Sequence, residues 1–309
     1  MNKLLKTTDR DLSWGWKAII LILGTVLFGI LLNIVLVTVL ASVYASQGFD
    51  QVQALEQAQL ASGGLVVQVV MSVLQMGFML WLVRWLVTKV EKQKFEWFKL
   101  GLVPAGRSKH IWLGVALAFA LSLLTVGIGY FVGTLKYLGN GFELFTPIQV
   151  VTTLILGAIL ALASGFGEEV AFRGFLQSRI AKRYNPAIAI LIVAVLFAFS
   201  HPVGNSNNPM LYLTTAILVG VLFGTVFVRT GSLWMGIALH TVWNFLQITI
   251  LAVRNSTDER FFGAPLLVFD TVSGTTQMLI EFMVILAGLI VLILGASVEV
   301  KHRTVTNTK

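Results

Sequence analysis

Long apolar runs constrain this chain more than any other feature. Eight runs follow one another, at residues 18–45, 62–88, 111–133, 148–166, 187–200, 210–228, 232–253 and 276–298. A helix of about 20 such residues crosses the roughly 30 Å of hydrocarbon in a bilayer, where irregular backbone cannot satisfy its polar groups. Charged residues make up only 12% of the chain, against about 25% in soluble proteins. The sequence therefore predicts an all-α polytopic transmembrane bundle of about eight spans, with residues 1–309 forming a single integral-membrane domain.

Most basic residues lie in alternate connections between these runs, and only the mixed 254–275 connection is ambiguous. They cluster before residue 18, in 84–110, in 179–183, at Arg229 and after residue 300. Lys and Arg are enriched in cytoplasmic connections, so both termini are predicted to be cytoplasmic in a multi-pass protein of the cell membrane. Orientation in the bilayer accounts for the net charge of +8, and no nucleic-acid partner is expected. The run at 18–45 exceeds the roughly 7–15 residues of a cleaved signal and is interpreted as a retained span.

The basic segment 84–110 also contains Trp97 and Phe98. This composition fits an interfacial amphipathic stretch, in which aromatic residues enter the headgroup region. An ordinary cytoplasmic loop explains the same residues, and we prefer that interpretation.

Two adjacent carboxylates follow one of the most apolar runs. Ile148–Phe166 carries no charge, and Glu168, Glu169 and Arg173 come directly after it. Each charge at membrane depth costs about 2.5–3.5 kcal/mol on insertion scales, so such residues mark functional sites. Glu169 and Arg173 are four residues apart and can pair on one helix face, which a structural ion pair would also explain. Glu168 points about 100° away and is predicted to be the freer carboxylate.

Two further pairs, each with at least one polar residue, lie in apolar sequence at helical spacing. Phe197 and His201 share a face, as do His240 and Asn244. A structural histidine at a helix end or a hydrogen bond between helices is the alternative for each pair.

The segment 179–186 contains basic residues and an Asn-Pro breaker, so it predicts the tip of a helical hairpin. Glu169 lies 17 residues before Pro186 and His201 lies 15 residues after it. Both are therefore about 22–25 Å from the tip at 1.5 Å per residue and should face each other. His240 lies closer to its own turn, near Arg229–Ser232, so it reaches the same level only if the helices are tilted.

These side chains together suit hydrolysis. A carboxylate in an apolar site can act as a general base, and an amide beside a reacting carbonyl can stabilise an oxyanion. Neutral imidazoles also bind metals, and two His with one Glu form a known catalytic zinc set. Glu168, His201 and His240 are therefore a candidate Zn²⁺ site, and activation of water with or without a metal stays open.

Other protease chemistries fit poorly. The chain has no cysteine, which excludes thiolate catalysis and disulfides, and no H-E-x-x-H motif. Leu162-Ala163 precedes Ser164-Gly165, so the G-x-S-G of a rhomboid-like serine protease is absent. Asp258 and Asp270 are predicted to lie in loops, which leaves no intramembrane aspartate pair.

Three motifs in order carry a family resemblance. Glu-Glu-x-x-x-Arg at 168–173, Phe-x-x-x-His at 197–201 and His-x-x-x-Asn at 240–244 resemble the signature motifs of the CPBP family. That family comprises type II CAAX prenyl proteases and the Abi proteins of bacteriocin processing and self-immunity. The resemblance covers roughly residues 148–250, which would be the catalytic core.

The resemblance implies an intramembrane endopeptidase with a peptide or lipidated-protein substrate. Glu168 would activate water, with Glu169 and Arg173 as its supporting pair. His201 and His240 would position water or a metal, and Asn244 would stabilise the oxyanion.

Two other functions stay open. One is a non-catalytic immunity or scaffold protein with the same fold. The other is an ion-coupled or proton-coupled transporter, since buried Glu and His also form relays, although the chain shows no inverted repeat. The sequence indicates neither the cleavage site nor the oligomeric state.

Overall fold

A computed structural model describes residues 6–8, 11–201, 208–255 and 263–306. Its helices are α1 (Trp14–Ser46), α2 (Gln51–Ser62), α3 (Leu65–Trp85), α4 (Arg107–Val132), α5 (Gly141–Leu144), α6 (Pro147–Glu168), α7 (Ser178–Arg183), α8 (Pro186–Phe199), α9 (Pro209–Thr230), α10 (Trp234–Phe245) and α11 (Gly274–Thr306). Its strands are β1 (Lys6–Thr8), β2 (Asp11–Leu12), β3 (Leu135–Asn140), β4 (Leu251–Asn255) and β5 (Leu267–Thr271). Three π-helical segments continue α3, α6 and α10: Leu86–Val90, Glu169–Gln177 and Leu246–Ile250. A 3-10 helix spans Trp97–Leu100.

The predicted all-α polytopic fold is confirmed, but the number of full-length spans differs. Six helices of the described chain are long and apolar enough to cross a membrane: Trp14–Ser46, Leu65–Val90, Arg107–Val132, Pro147–Arg183, Pro209–Thr230 and Gly274–Gly295. Helix α8 has 14 residues and extends only about 21 Å. Helix α10 with its π-helical continuation runs from Trp234 to Ile250, or about 25 Å. The runs at 187–200 and 232–253 therefore form shorter helices than the six long ones.

A small sheet lies mainly where the sequence predicts connections, and β4 begins within the predicted span at 232–253. Strand β5 pairs antiparallel with β3 and parallel with β4, joining the segment after α4 to the segment after α10. Asp270 lies in β5, so its predicted position in a loop is wrong. Asp258 and the connection at 202–207 lie outside the described residues.

The hairpin predicted around Pro186 is present. Helix α6 continues through the π-helical segment and α7 to Arg183, and Asn185 accepts a hydrogen bond from the backbone N–H of Ile188 at the start of α8. Pro186 occupies the first turn of α8, where its missing N–H costs nothing. The Asn-Pro pair thus ends one helix and begins the next.

Three segments that carry predicted cytoplasmic charge meet at one end of the bundle. Lys17 at the start of α1 and Arg179 in α7 both bind the carboxylate of Glu91, at 3.0 Å and 2.9 Å. Burial alone would raise the pKa of Glu91, but the hydrogen bonds and charges of Arg179 and Lys17 outweigh it and hold that pKa below its ordinary value. This cluster places the N-terminus, the end of α3 and the hairpin tip on the same side.

Part of the segment 84–110 packs into the bundle, and the choice between an ordinary loop and an interfacial stretch stays a prediction. Leu100 is buried, while Trp97 and Phe98 stay exposed. The carbonyl of Gly101 accepts a hydrogen bond from the N–H of Leu233 at 2.8 Å. The turn before α10 is therefore buried beneath this segment, and α10 begins inside the bundle.

Small residues let α6 approach α10 closely. A Cβ added at Gly165 would lie 2.9 Å from the backbone nitrogen of Thr241, so no larger residue fits without moving α10. Close packing through glycine is common between membrane helices. Here it brings the end of α6 beside the helix that carries His240.

Candidate active site

Glu169 and Arg173 form the ion pair that their spacing predicts. Arg173 Nη1 lies 2.9 Å from Glu169 Oε1, and both side chains are fully buried. They belong to the π-helical segment Glu169–Gln177, and π-helical turns inside α-helices are frequent at functional sites.

Aromatic rings and a backbone carbonyl complete the surroundings of Arg173. Its guanidinium carbon lies 4.4 Å from the ring centroid of Phe197 and 5.1 Å from that of Phe223. Arg173 Nη2 donates to the carbonyl of Gly220 at 3.3 Å. The cation is thereby held between α8 and α9, which fixes the direction of its bond to Glu169.

Glu169 also holds His240. Glu169 Oε1 lies 3.2 Å from His240 Nδ1, and a carboxylate can only accept, so Nδ1 carries the proton. The imidazole stacks on Phe223 with ring centroids 4.8 Å apart and planes at 17°. Sequence reasoning assigned Glu169 to Arg173 alone and missed this contact, because the two residues are 71 positions apart.

His201 is oriented by its own helix. Its Nδ1 lies 2.8 Å from the carbonyl of Phe197, so Nδ1 donates and Nε2 of the neutral ring presents a lone pair. That Nε2 lies 3.6 Å from Glu168 Oε2. The predicted hairpin therefore brings His201 to the site, facing Glu168 rather than Glu169.

Two imidazole nitrogens converge on one carboxylate oxygen of Glu168. His201 Nε2 and His240 Nε2 lie 3.6 Å and 3.8 Å from Glu168 Oε2, beyond direct hydrogen-bond distance. This oxygen is buried and has no hydrogen-bond partner in the described structure. Because both Nε2 atoms and the carboxylate oxygen are acceptors, the arrangement suits a donor between them, such as a water molecule or a proton. The prediction that Glu168 is the freer carboxylate agrees with this geometry.

The same donor set has the chemistry of a zinc site, with two imidazoles and one carboxylate. Within the described ranges, however, no three His, Asp or Glu side chains are arranged so that they could hold a metal ion. Binding of Zn²⁺ by Glu168, His201 and His240 stays a prediction.

Asn244 lies one helical turn beyond His240. Its Nδ2 donates to Ser164 Oγ at 3.1 Å, which uses one of the two amide hydrogens and leaves the other available. In the sequence, Ser164 on α6 is notable only because it lacks the G-x-S-G context of a serine nucleophile. No sequence pattern indicates that Ser164 contacts Asn244. The contact orients the amide.

Two cavities meet at these side chains. A cavity of about 230 Å³ is lined by His201, His240, Asn244 and mainly apolar residues of α8 to α11. A second, of about 560 Å³, is lined by Glu168, His201 and mainly apolar residues of α1 and α3. His201 borders both cavities, and Glu168 lines the second. The structure thus brings all six predicted site residues to one place.

Comparison with known proteins agrees with the resemblance seen in the motifs. Residues 150–246 match the family described as Type II CAAX prenyl endopeptidase Rce1-like, and all six site residues lie within that segment. No curated protein and no solved structure matches the chain. The match supports an intramembrane function of the CAAX protease type. The chain is therefore a multi-pass helical membrane protein whose residues 150–246 are similar to the Rce1-like family.

Proposed function

We propose that this protein is an intramembrane endopeptidase in which Glu168 activates the hydrolytic water. The observation that carries the proposal is the convergence of Glu168 Oε2 with two imidazole Nε2 atoms at 3.6 Å and 3.8 Å. A water molecule between them donates one hydrogen to Glu168 and the other to an imidazole.

The chemical step follows from these groups. Glu168 takes a proton as the water oxygen bonds to the carbonyl carbon of the scissile peptide, a general-base role. The free amide hydrogen of Asn244 donates to the oxyanion that forms. When the C–N bond breaks, Glu168 returns the proton to the leaving nitrogen, so water and peptide give an acid and an amine.

Glu169 and Arg173 act through His240 in this proposal. Arg173 fixes Glu169 at 2.9 Å, and Glu169 holds the N–H of His240 at 3.2 Å. This keeps the Nε2 lone pair of His240 toward Glu168, as a carboxylate orients imidazole in other hydrolases. These two residues are therefore positioning residues.

The proposed substrate is a membrane-associated peptide or a prenylated protein, and the proposed location is the cell membrane. The cavity beside α1 and α3 supports this choice, because its wall is mainly apolar and both helices are long and apolar enough to cross a membrane. CAAX processing and bacteriocin maturation both fit this substrate class.

Cleavage of a membrane peptide by purified protein in proteoliposomes tests the proposal. We expect Glu168→Gln to lower kcat by about 10²–10⁴-fold, while Glu56→Gln, at an exposed carboxylate on α2, retains wild-type activity. Undiminished cleavage by Glu168→Gln would refute the assignment. The non-catalytic alternative would be favoured if the wild type cleaves no peptide and Glu168→Ala cells keep bacteriocin immunity.

Metal analysis of the purified protein, beside the same assay with and without chelator, tests the predicted zinc. One equivalent of zinc that His240→Ala loses would assign the metal to the Glu168 site. Metal-free protein with full activity would assign the chemistry to the side chains alone.

A further inference from the structure

A partly buried carboxylate outside the three motifs lines the smaller cavity. Glu281, on α11, lines the cavity of about 230 Å³ together with His201, His240 and Asn244. In the part of the chain that the structure describes, no cation and no hydrogen-bond donor pairs with this carboxylate. An unpaired carboxylate among membrane helices is costly and is normally kept for a function.

The remaining wall of this cavity is mostly apolar. Helices α8 and α9 supply Phe197, Val219 and Phe223, and Trp243 and Met278 come from α10 and α11. The phenol of Tyr212 lies on the same wall and within electrostatic range of Glu281. An apolar wall with one carboxylate is complementary to a lysine side chain, whose methylene stem packs on apolar surface while its ammonium needs an acceptor.

The two cavities that share His201 have different chemistry. His201 borders both, and Glu168 lines the larger one. In the larger cavity, Glu168 is the acidic residue and is used by the proposed hydrolysis. Glu281 is the acidic residue that lines the smaller cavity and takes no part in that chemistry. A cationic side chain would therefore be recognised in the smaller cavity.

We propose that this cavity is a specificity subsite in which Glu281 pairs with the ammonium of a substrate lysine close to the scissile bond. The proposal rests on the proposed peptidase function and adds a substrate preference to it. Glu281 is a specificity residue here and does not touch the reacting atoms.

Fluorogenic apolar decapeptides, each with one lysine or one norleucine moved through the central positions, test the subsite in proteoliposomes. We expect the wild type to prefer lysine over norleucine at one position. Glu281→Gln should reduce that preference at least tenfold, mainly through KM, because a binding interaction is lost. The control Glu56→Gln removes an exposed carboxylate and should retain the preference.

Binding measured in a Glu168→Gln background separates the two proposals. One outcome is that lysine peptides bind more tightly, that Glu281→Gln abolishes this preference, and that the wild type cleaves nothing. This result would support the subsite and refute the peptidase. Cleavage with no lysine preference, or with a preference that Glu281→Gln leaves intact, would overturn the subsite and leave the peptidase standing. If Glu281→Gln lowers cleavage of the lysine and norleucine peptides equally, the subsite proposal is also overturned, since Glu281 would then have a general structural role.

Discussion

Replacing Arg173 by methionine tests the central ion pair most directly. Both Arg173 and Glu169 are fully buried, so the substitution leaves Glu169 without its counter-charge. Breaking a buried pair by removing one partner costs about 3–5 kcal/mol. The guanidinium also packs on the rings of Phe197 and Phe223, and loss of a desolvated cation–π contact costs about 2 kcal/mol. We therefore expect Arg173→Met to lower the free energy of unfolding by a value near 5 kcal/mol, at the upper end of the ~3–5 kcal/mol range.

The double variant Glu169→Gln/Arg173→Met separates the charge effect from packing. Removing both charges leaves no uncompensated ion, so the double variant should be more stable than the sum of the single changes predicts. Residues that share one buried pair couple by about 0.5–3 kcal/mol in such cycles, and this fully buried pair should lie near the upper limit.

Unfolding in mixed micelles with increasing SDS, followed by tryptophan fluorescence, measures these changes, since the chain has eight tryptophans. The pair Glu96–Lys99 is the matched control, because it has i,i+3 spacing and Lys99 is exposed. Exposed pairs contribute little, so Glu96→Gln should leave the unfolding midpoint unchanged. An Arg173→Met variant as stable as the wild type, or a cycle without coupling, would refute the reasoning.

Three other changes have defined outcomes. Asn244→Ala should lower kcat about 10²–10³-fold with little change in KM, in the proteoliposome assay; an effect on KM alone would contradict its oxyanion role. Gly165→Ala should cost about 1–3 kcal/mol by overpacking against Thr241, whereas Gly77→Ala, which meets no atom within 4 Å, should have little effect in the same SDS titration. Glu91 has a folded-state pKa below its ordinary value of 4.5, so its contribution to stability is present above about pH 4.5 and is lost as the pH falls through the lower folded value. Glu91→Gln should therefore flatten the acid limb of the stability curve, and an unchanged limb would contradict this.

Patterns that depend on neighbours along the chain could be predicted from the sequence. Apolar runs predicted membrane helices, Asn185-Pro186 predicted a hairpin, and i,i+4 spacing predicted the Glu169–Arg173 pair. Each follows from local geometry, because helical periodicity and the cost of unpaired backbone in lipid act within one segment.

Lengths of short helices and the small sheet could not be predicted in this way. The apolar run at 232–253 forms a helix from Trp234 to Ile250 that neighbouring helices cover, whereas the 14-residue α8 exposes Leu191, Val195 and Phe199. Apolar composition suits lipid and the interior of a bundle equally, so it does not distinguish the two. The pairing of β5 with β3 and β4 joins segments far apart in sequence and leaves no local pattern.

By itself, the sequence determined that the chain is a polytopic helical membrane protein with one group of ionisable residues at membrane depth. Tertiary structure decided which of those residues contact each other, because it brings Glu169 to His240 and Glu168 to both imidazoles. It also decided that Glu281 shares their cavity. The physical reason is that segmental hydrophobicity is local, whereas the position of a buried charge depends on which helices pack together.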